Sequence, residues 1–207
     1  FSSGPGRGVY LSALLRPQLA PEKILPLTAL GAVAACDAVE RTCGVRPQIK
    51  WTNDLVLNGK KLSGTLTELS LEGESGALDY AVIGIGVNCN NAREDFPPEL
   101  RDIATSLCLE TGRRVCRAAL AAALIEELDG LYAALQGGDT AAYLAAYRRD
   151  CLTLGREVQL LWQDAREKVM ALDVDEQFGL VVRHEDGRVE TVRTGEVSVR
   201  GLYGYVE

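Results

Sequence analysis

Residues 50–64 read KWTNDLVLNGKKLSG, and the architecture turns on them. Asn58-Gly59 stands between the short apolar run LVL and the run KKLSG. Asn-Gly readily takes the two positive-φ positions of a tight turn, so a β-hairpin is predicted here. Lys50, Asp54 and Lys61 interrupt strands that are otherwise apolar. Burying a charge without a partner costs on the order of several kcal/mol, so these three must either pair with one another or serve a ligand.

Downstream of the hairpin, TLTELS, LEGESGA and YAVIGIGVN alternate short apolar runs with turn signals, and QIKW precedes it. Gly84 and Gly86 lie in an apolar strand, where glycine marks close approach of another backbone or of a ligand; tight strand packing is the plainer reading. A dinucleotide-binding fingerprint is excluded, because Cys89 occupies the place of the third glycine and a polar loop follows.

Further out, VYLSALL (9–15) reads as a buried strand ended by Pro17 and Pro21. The segment EKILPLTALGAVAACDAVERTCG has helical apolar spacing. It is predicted to start close to Pro26, tolerable only in a first turn, and to be capped at Gly44. Beyond Pro97-Pro98 the composition turns to Ala, Leu, Glu and Arg, and helices are predicted near 98–107, 116–136 and 139–150 as a cover over the sheet. After Gly155, short strand-like runs with turns at Asp186-Gly187 and Gly195 predict a small closed barrel. The expected organisation is a sheet-and-helix domain over 1–153 and a β-barrel over 154–207.

Composition narrows the function classes. The 207 residues are 47% apolar and 25% charged, ordinary for a globular chain, and no apolar run is long enough for a bilayer. The charge of −7 and the scattered Lys and Arg residues offer no basic face for non-specific nucleic-acid binding. The start does not resemble a signal peptide. Cys36, Cys43, Cys89, Cys108, Cys116 and Cys151 show no CxxC spacing, and His184 is the single histidine. Reduced thiols in a cytoplasmic protein are expected rather than a zinc site. His184, in RHEDGR beside a hairpin turn, is read as solvated, and Cys-His or Ser-His-Asp catalysis has little support. Asp173, Asp175 and Gly179 lack the ligand spacing of a calcium loop and are read as a turn.

KWTND, KLSG and GIGVN, in this order and at these separations, resemble the core motifs of the biotin-protein ligase family, usually written KWPND, K-[LVI]-x-G and G-x-G-[IV]-N. The likeness extends to the opening FSSGPGRGVYLSALLRP and the closing GEVSVRG, so it covers essentially the whole chain. Thr52 replaces the usual proline, which should alter only loop stiffness.

The resemblance implies an α+β fold: a mixed sheet covered by helices, of the class II synthetase-like biotin ligase type, followed by an SH3-like β-barrel. It implies a two-step reaction, in which biotin and ATP form biotinyl-5'-adenylate, with Mg2+ escorting the phosphates, and the biotinyl group passes to a lysine of a biotin carboxyl carrier protein. By the same resemblance Lys61 is the central catalytic cation and Asp54 lies near the reacting carboxyl and the incoming amine. Lys50, Asn53 and Asn88 match positions around the nucleotide and its metal. Gly64, Gly84 and Gly86 match backbone that receives biotin, Arg200 matches a phosphate contact, and Trp51 and Thr65 belong to the same binding set. No residue is expected to ligate a metal by itself.

The family also carries a segment ahead of the position of Phe1, with a Ser/Thr-Asn pair and a GRGRxGR loop, that has no counterpart in these residues. Weak or no activity and an exposed sheet edge are therefore expected. A non-catalytic biotin- or carrier-binding remnant and a lipoate-protein ligase are the alternative readings, and homodimerisation through the sheet is a family habit.

Overall fold

A computed structural model describes residues 4–162, 165–193 and 198–201. The chain opens with β1 (Gly8–Leu15) and, after a 3-10 turn, enters α1 (Leu27–Cys43). Pro26 is the N-cap of α1 and Gly44, at φ 71°, its left-handed C-cap, as the sequence predicts. Most of α1 is buried, and it lies so close to the sheet that a Cβ on Gly31 would come within 2.5 Å of Ile83 Cδ1 and 3.0 Å of Thr65 Cγ2.

Four strands follow: β2 (Gln48–Lys50), β3 (Asp54–Leu57), β4 (Lys60–Leu71) and β5 (Leu78–Asn88). Asn58 and Gly59 take φ 49° and 77°, the two positive values of the expected hairpin turn. The sheet order is β1-β5-β4-β3-β2. Its ladders are antiparallel throughout, which corrects the mixed sheet. Short connections from β2 to β5 permit nothing else, and parallel pairing is confined to two single bridges, Ile49 with Cys151 and Lys61 with Ala104.

The helical cover is α2 (Leu107–Thr111), α3 (Arg117–Gly137) and α4 (Ala141–Asp150). The helix expected over 98–107 is instead a 3-10 turn at Pro98–Leu100. The chain from 103 to 105 then extends alongside Lys61: the Lys61 amide donates to Ile103 O and the Thr105 amide to Lys61 O. Those bonds recruit backbone that would otherwise have closed a helix.

The remaining strands, β6 (Glu157–Trp162), β7 (Ala165–Val174), β8 (Leu180–Arg183), β9 (Val189–Val192) and β10 (Ser198–Gly201), form a second antiparallel sheet in the order β10-β6-β7-β8-β9. Among the described residues no ladder joins β9 to β10. One continuous apolar core runs from α1 and the first sheet through Tyr147 to Phe178, Leu180 and Val182 of the second.

His184 is not solvated: it is 4% exposed. Its Nδ1 faces Glu167 Oε1, its Nε2 lies 2.9 Å from Glu190 Oε1, and Arg188 Nη2 stands 3.2 Å from Nδ1. The polar turn that follows His184 is exposed as expected. What the local sequence hides is that β7 and β9 bring carboxylates over the ring from either side.

Candidate functional site

The antiparallel registers line up one residue from each strand of the first sheet. Lys50 of β2 stands opposite Asp54 of β3, Asp54 opposite Gly64 of β4, Gly64 opposite Gly86 of β5, and Gly86 opposite Tyr10 of β1. The next row sets Leu66 opposite Gly84 and Gly84 opposite Ser12. With strands about 4.8 Å apart, the three glycines leave a shallow bare-backbone floor. Tyr10 walls it on one side and the charged pair of β3 and β4 on the other. α1 packs on the opposite face, so Tyr10 and Leu66 remain 50% and 63% exposed.

This floor belongs to a cavity of about 410 Å³ lined by Tyr10, Leu11, Ser12, Asn53, Asp54, Lys61, Gly64, Thr65, Leu66, Gly84, Ile85 and Gly86. That volume suits one small organic molecule, and the lining has the mixture expected of such a site, apolar surface with a few convergent polar groups.

At its rim Lys61 Nζ and Asp54 Oδ1 are 2.5 Å apart, with side chains 33% and 21% exposed. A partly solvated pair of this kind contributes roughly 0–1 kcal/mol to stability. Its consequence is geometric. An ammonium has three donors, so the cation that pairs with Asp54 is of a type that can also bind an anionic ligand.

Lys61 reaches this face because β4 slips register by one residue. Leu55 pairs with Ser63, but Val56 pairs with Lys61, leaving Leu62 as the extra residue of a β-bulge-like shift. Side chains alternate along a strand. Lys61, three residues before Gly64, would therefore point toward α1 in a regular strand; the shift returns it to the side of Asp54, and Leu62 becomes fully buried.

The segment is fixed at both ends. At the tip, Asn58 Nδ2 donates to Glu110 Oε2 at 2.5 Å, Thr105 Oγ1 also donates to Glu110, and the 103–105 backbone holds Lys61. At the base, Asn53 Nδ2 donates to Thr65 O at 2.5 Å and the Thr65 amide to Asn53 O at 3.1 Å.

Of the residues singled out in the sequence, Lys61, Asp54, Asn53, Gly64, Thr65, Gly84 and Gly86 come together around the cavity. Lys50 is next to Asp54 in the ladder but outside the lining. Asn88 is buried at the end of β5, its Nδ2 donating to Thr105 O at 3.0 Å. Trp51 is also buried, its Nε1 donating to Phe178 O at 2.9 Å. Arg200 stands opposite Gln159 in the β10–β6 ladder, and its side chain lies outside the described residues. Tyr10, Ser12 and Leu66 were missed: they line the site only because β5 pairs with β1 on one side and with β4 on the other, which no local pattern encodes.

Residues 3–88, which hold this sheet and its glycine-floored cavity, match the Biotin/lipoate A/B protein ligase family. The chain is 43% identical over 118 residues to the bifunctional ligase/repressor BirA of Bacillus subtilis, covering 57% of this chain and 36% of the relative. It is 28% identical over 195 residues to BirA of Escherichia coli, covering 94% and 59%. The chain thus spans from about a third to three fifths of the length of these curated relatives. The solved biotin protein ligase from Aquifex aeolicus in complex with biotin and ATP superposes with a TM-score of 0.78 at 27% identity, over 93% of this chain and 78% of that one. The chain is thus similar over most of its length to biotin protein ligases.

Proposed function

We propose that this chain activates biotin with ATP to biotinyl-5'-adenylate and passes the biotinyl group to a lysine of a biotin carboxyl carrier protein. The observation that carries the reading is the Lys61–Asp54 pair poised at one end of the cavity floored by Gly64, Gly84 and Gly86. A flat apolar acid can lie on bare backbone while its carboxylate reaches the ammonium.

In the first step a biotin carboxylate oxygen attacks the α-phosphorus of ATP and pyrophosphate leaves. Lys61 bridges the carboxylate and the α-phosphate as charge accumulates between them. In the second, a carrier lysine amine attacks the acyl carbon and AMP leaves, with Asp54 orienting the amine and accepting the proton that it loses. Lys50, Asn53, Asn88 and Arg200 are assigned to the nucleotide side, and Thr65 and Tyr10 to the biotin side. Mg2+, held by the ATP phosphates beside Asn53 and Asn88, would supply neutralisation of the phosphate charge. Among the described residues no three His, Cys, Asp or Glu side chains are grouped to hold an ion, and magnesium held mainly by phosphate and water needs no such cage.

The finer architecture is part of the same proposal: a catalytic unit over 1–153 and a second unit over 154–207 closing as an SH3-like barrel, in a cytoplasmic protein that pairs through its sheet. No helix among the described residues is long and apolar enough to cross a membrane.

Calorimetric titration with biotin and with a non-hydrolysable sulfamoyl analogue of biotinyl-adenylate tests the function. Lys61→Ala is expected to weaken the analogue and, where pyrophosphate release is followed, to slow it about 10²–10³-fold. Equal binding by the variant would remove Lys61 from the site. No binding of either ligand by the folded parent chain would remove the ligase reading.

A further inference from the structure

The residues that hold KWTND from behind have no part in the chemistry above. Three buried hydrogen bonds converge on Trp51 and Thr52. The Trp51 amide donates to Thr153 Oγ1 at 2.9 Å, the Trp51 indole Nε1–H to Phe178 O at 2.9 Å, and the Tyr147 hydroxyl to Thr52 O at 2.8 Å. Their sources are the link between the two sheets, the second sheet and α4. Tyr147 is fully buried, and its ring meets Phe178 edge-on, with centroids 5.2 Å apart and planes at 87°.

Phe178 is held in an unusual state to make this contact. Its φ is 61°, a region that bulky residues rarely enter. The turn around it is pinned: Asp175 Oδ1 accepts from the Gln177 and Gly179 amides at 2.9 and 2.8 Å, the Phe178 amide donates to Asp175 O at 3.0 Å, and Arg193 Nη2 donates to Asp175 Oδ2 at 2.7 Å. Backbone in such a conformation persists where its surroundings over-determine it, and such places cluster at functional sites. Here the strained residue presents its carbonyl to Trp51, in the segment that leads directly into Asn53 and Asp54, and its ring to Tyr147, whose hydroxyl holds Thr52.

We infer that Trp51, Tyr147, Thr153 and the 175–179 turn form a joint through which the second sheet sets the position of Asn53 and Asp54, and through Asp54 the ammonium of Lys61. These are positioning residues. The inference rests on the ligase reading only for what the positioned groups bind. It gives the second sheet a role in the site that acts through the KWTND backbone, separate from the assignment of Arg200, and it assigns Trp51 to the joint rather than to ligand contact.

Tyr147→Phe and Thr153→Val each remove one of the three bonds with little change of shape. Amide hydrogen exchange in the absence of ligand is the first readout. In either variant the Thr65 and Lys61 amides are expected to exchange about tenfold faster than in the parent, while those of α1 and β8 change little, because an unsatisfied buried group is local to the joint. The sulfamoyl analogue is expected to bind about tenfold more weakly for the same reason. A uniform rise in exchange across all these elements would mean a purely structural role and would overturn the inference, as would unchanged exchange or unchanged affinity in both folded variants. Failure of the parent chain to bind the analogue would instead sink the ligase reading, with the exchange pattern still deciding whether the joint exists.

Discussion

Gly84 offers a substitution with opposite expected effects on folding and binding. A Cβ built there meets only Ser12 Oγ at 3.8 Å and Leu66 O at 3.9 Å, ordinary contact distances. Folding alone therefore does not require glycine at this strand position, and glycine inside a strand carries an entropic cost. Replacing it with alanine reduces the freedom of the unfolded chain and should stabilise the protein by about 0.4–1 kcal/mol. For a chain of this size that corresponds to a rise in Tm of roughly 1–4 °C. The same methyl projects from the cavity floor, where a ligand lying on backbone has no space to yield. Overpacking of this kind costs about 1–3 kcal/mol, so biotin affinity should fall roughly 5- to 150-fold. Differential scanning calorimetry and isothermal titration on the parent and Gly84→Ala measure both. A variant at least as stable as the parent that binds biotin equally well would show that the ligand does not lie on this floor.

The ring of His184 between Glu167 and Glu190 makes its protonated form the favoured one, and its pKa is raised above the ordinary 6.5, chiefly by the hydrogen bond to Glu167. A raised folded-state value means that this contribution to stability is complete below pH 6.5 and is lost as pH climbs through the folded value. Urea unfolding from pH 5 to 9 should show that decline, and His184→Gln should flatten it; an identical slope in the variant would discard the assignment. Thiol alkylation should separate the six free cysteines. Cys116 is exposed and should react first with iodoacetamide. Cys36 and Cys151 are buried, and burial pushes the Cys89 thiol up to about 11, so these three should react only on unfolding, as peptide mass mapping would reveal.

Much of the fold was legible because its signals are local. Asn58-Gly59 had to turn, Pro26 and Gly44 had to bracket α1, and the apolar spacing between them had to form a buried helix. The site was legible in the same places: the charged residues beside the hairpin and the paired glycines of GIGVN gather around one cavity. What escaped depends on pairing between distant segments. Tyr10 and Ser12 become walls only through the register of β1 on β5. Residues 103–105 leave a helical pattern because Lys61 offers them a ladder partner. His184 lies in a polar stretch and is buried by carboxylates from other strands, while Trp51 turns toward a carbonyl 127 residues away.

The slipped register at Leu62 makes spacing a functional property of this hairpin. Strand alternation is a parity rule, and the extra residue between Lys61 and Gly64 is what sets the lysine's parity. Losing one residue there, or gaining one, would keep every motif residue in the sequence and still send the ammonium through the sheet to the side packed against α1. Over these few residues a length change would be more damaging than most substitutions, whereas the solvent-facing tip at Gly59, with nothing within 4 Å of its added Cβ, is free of that rule.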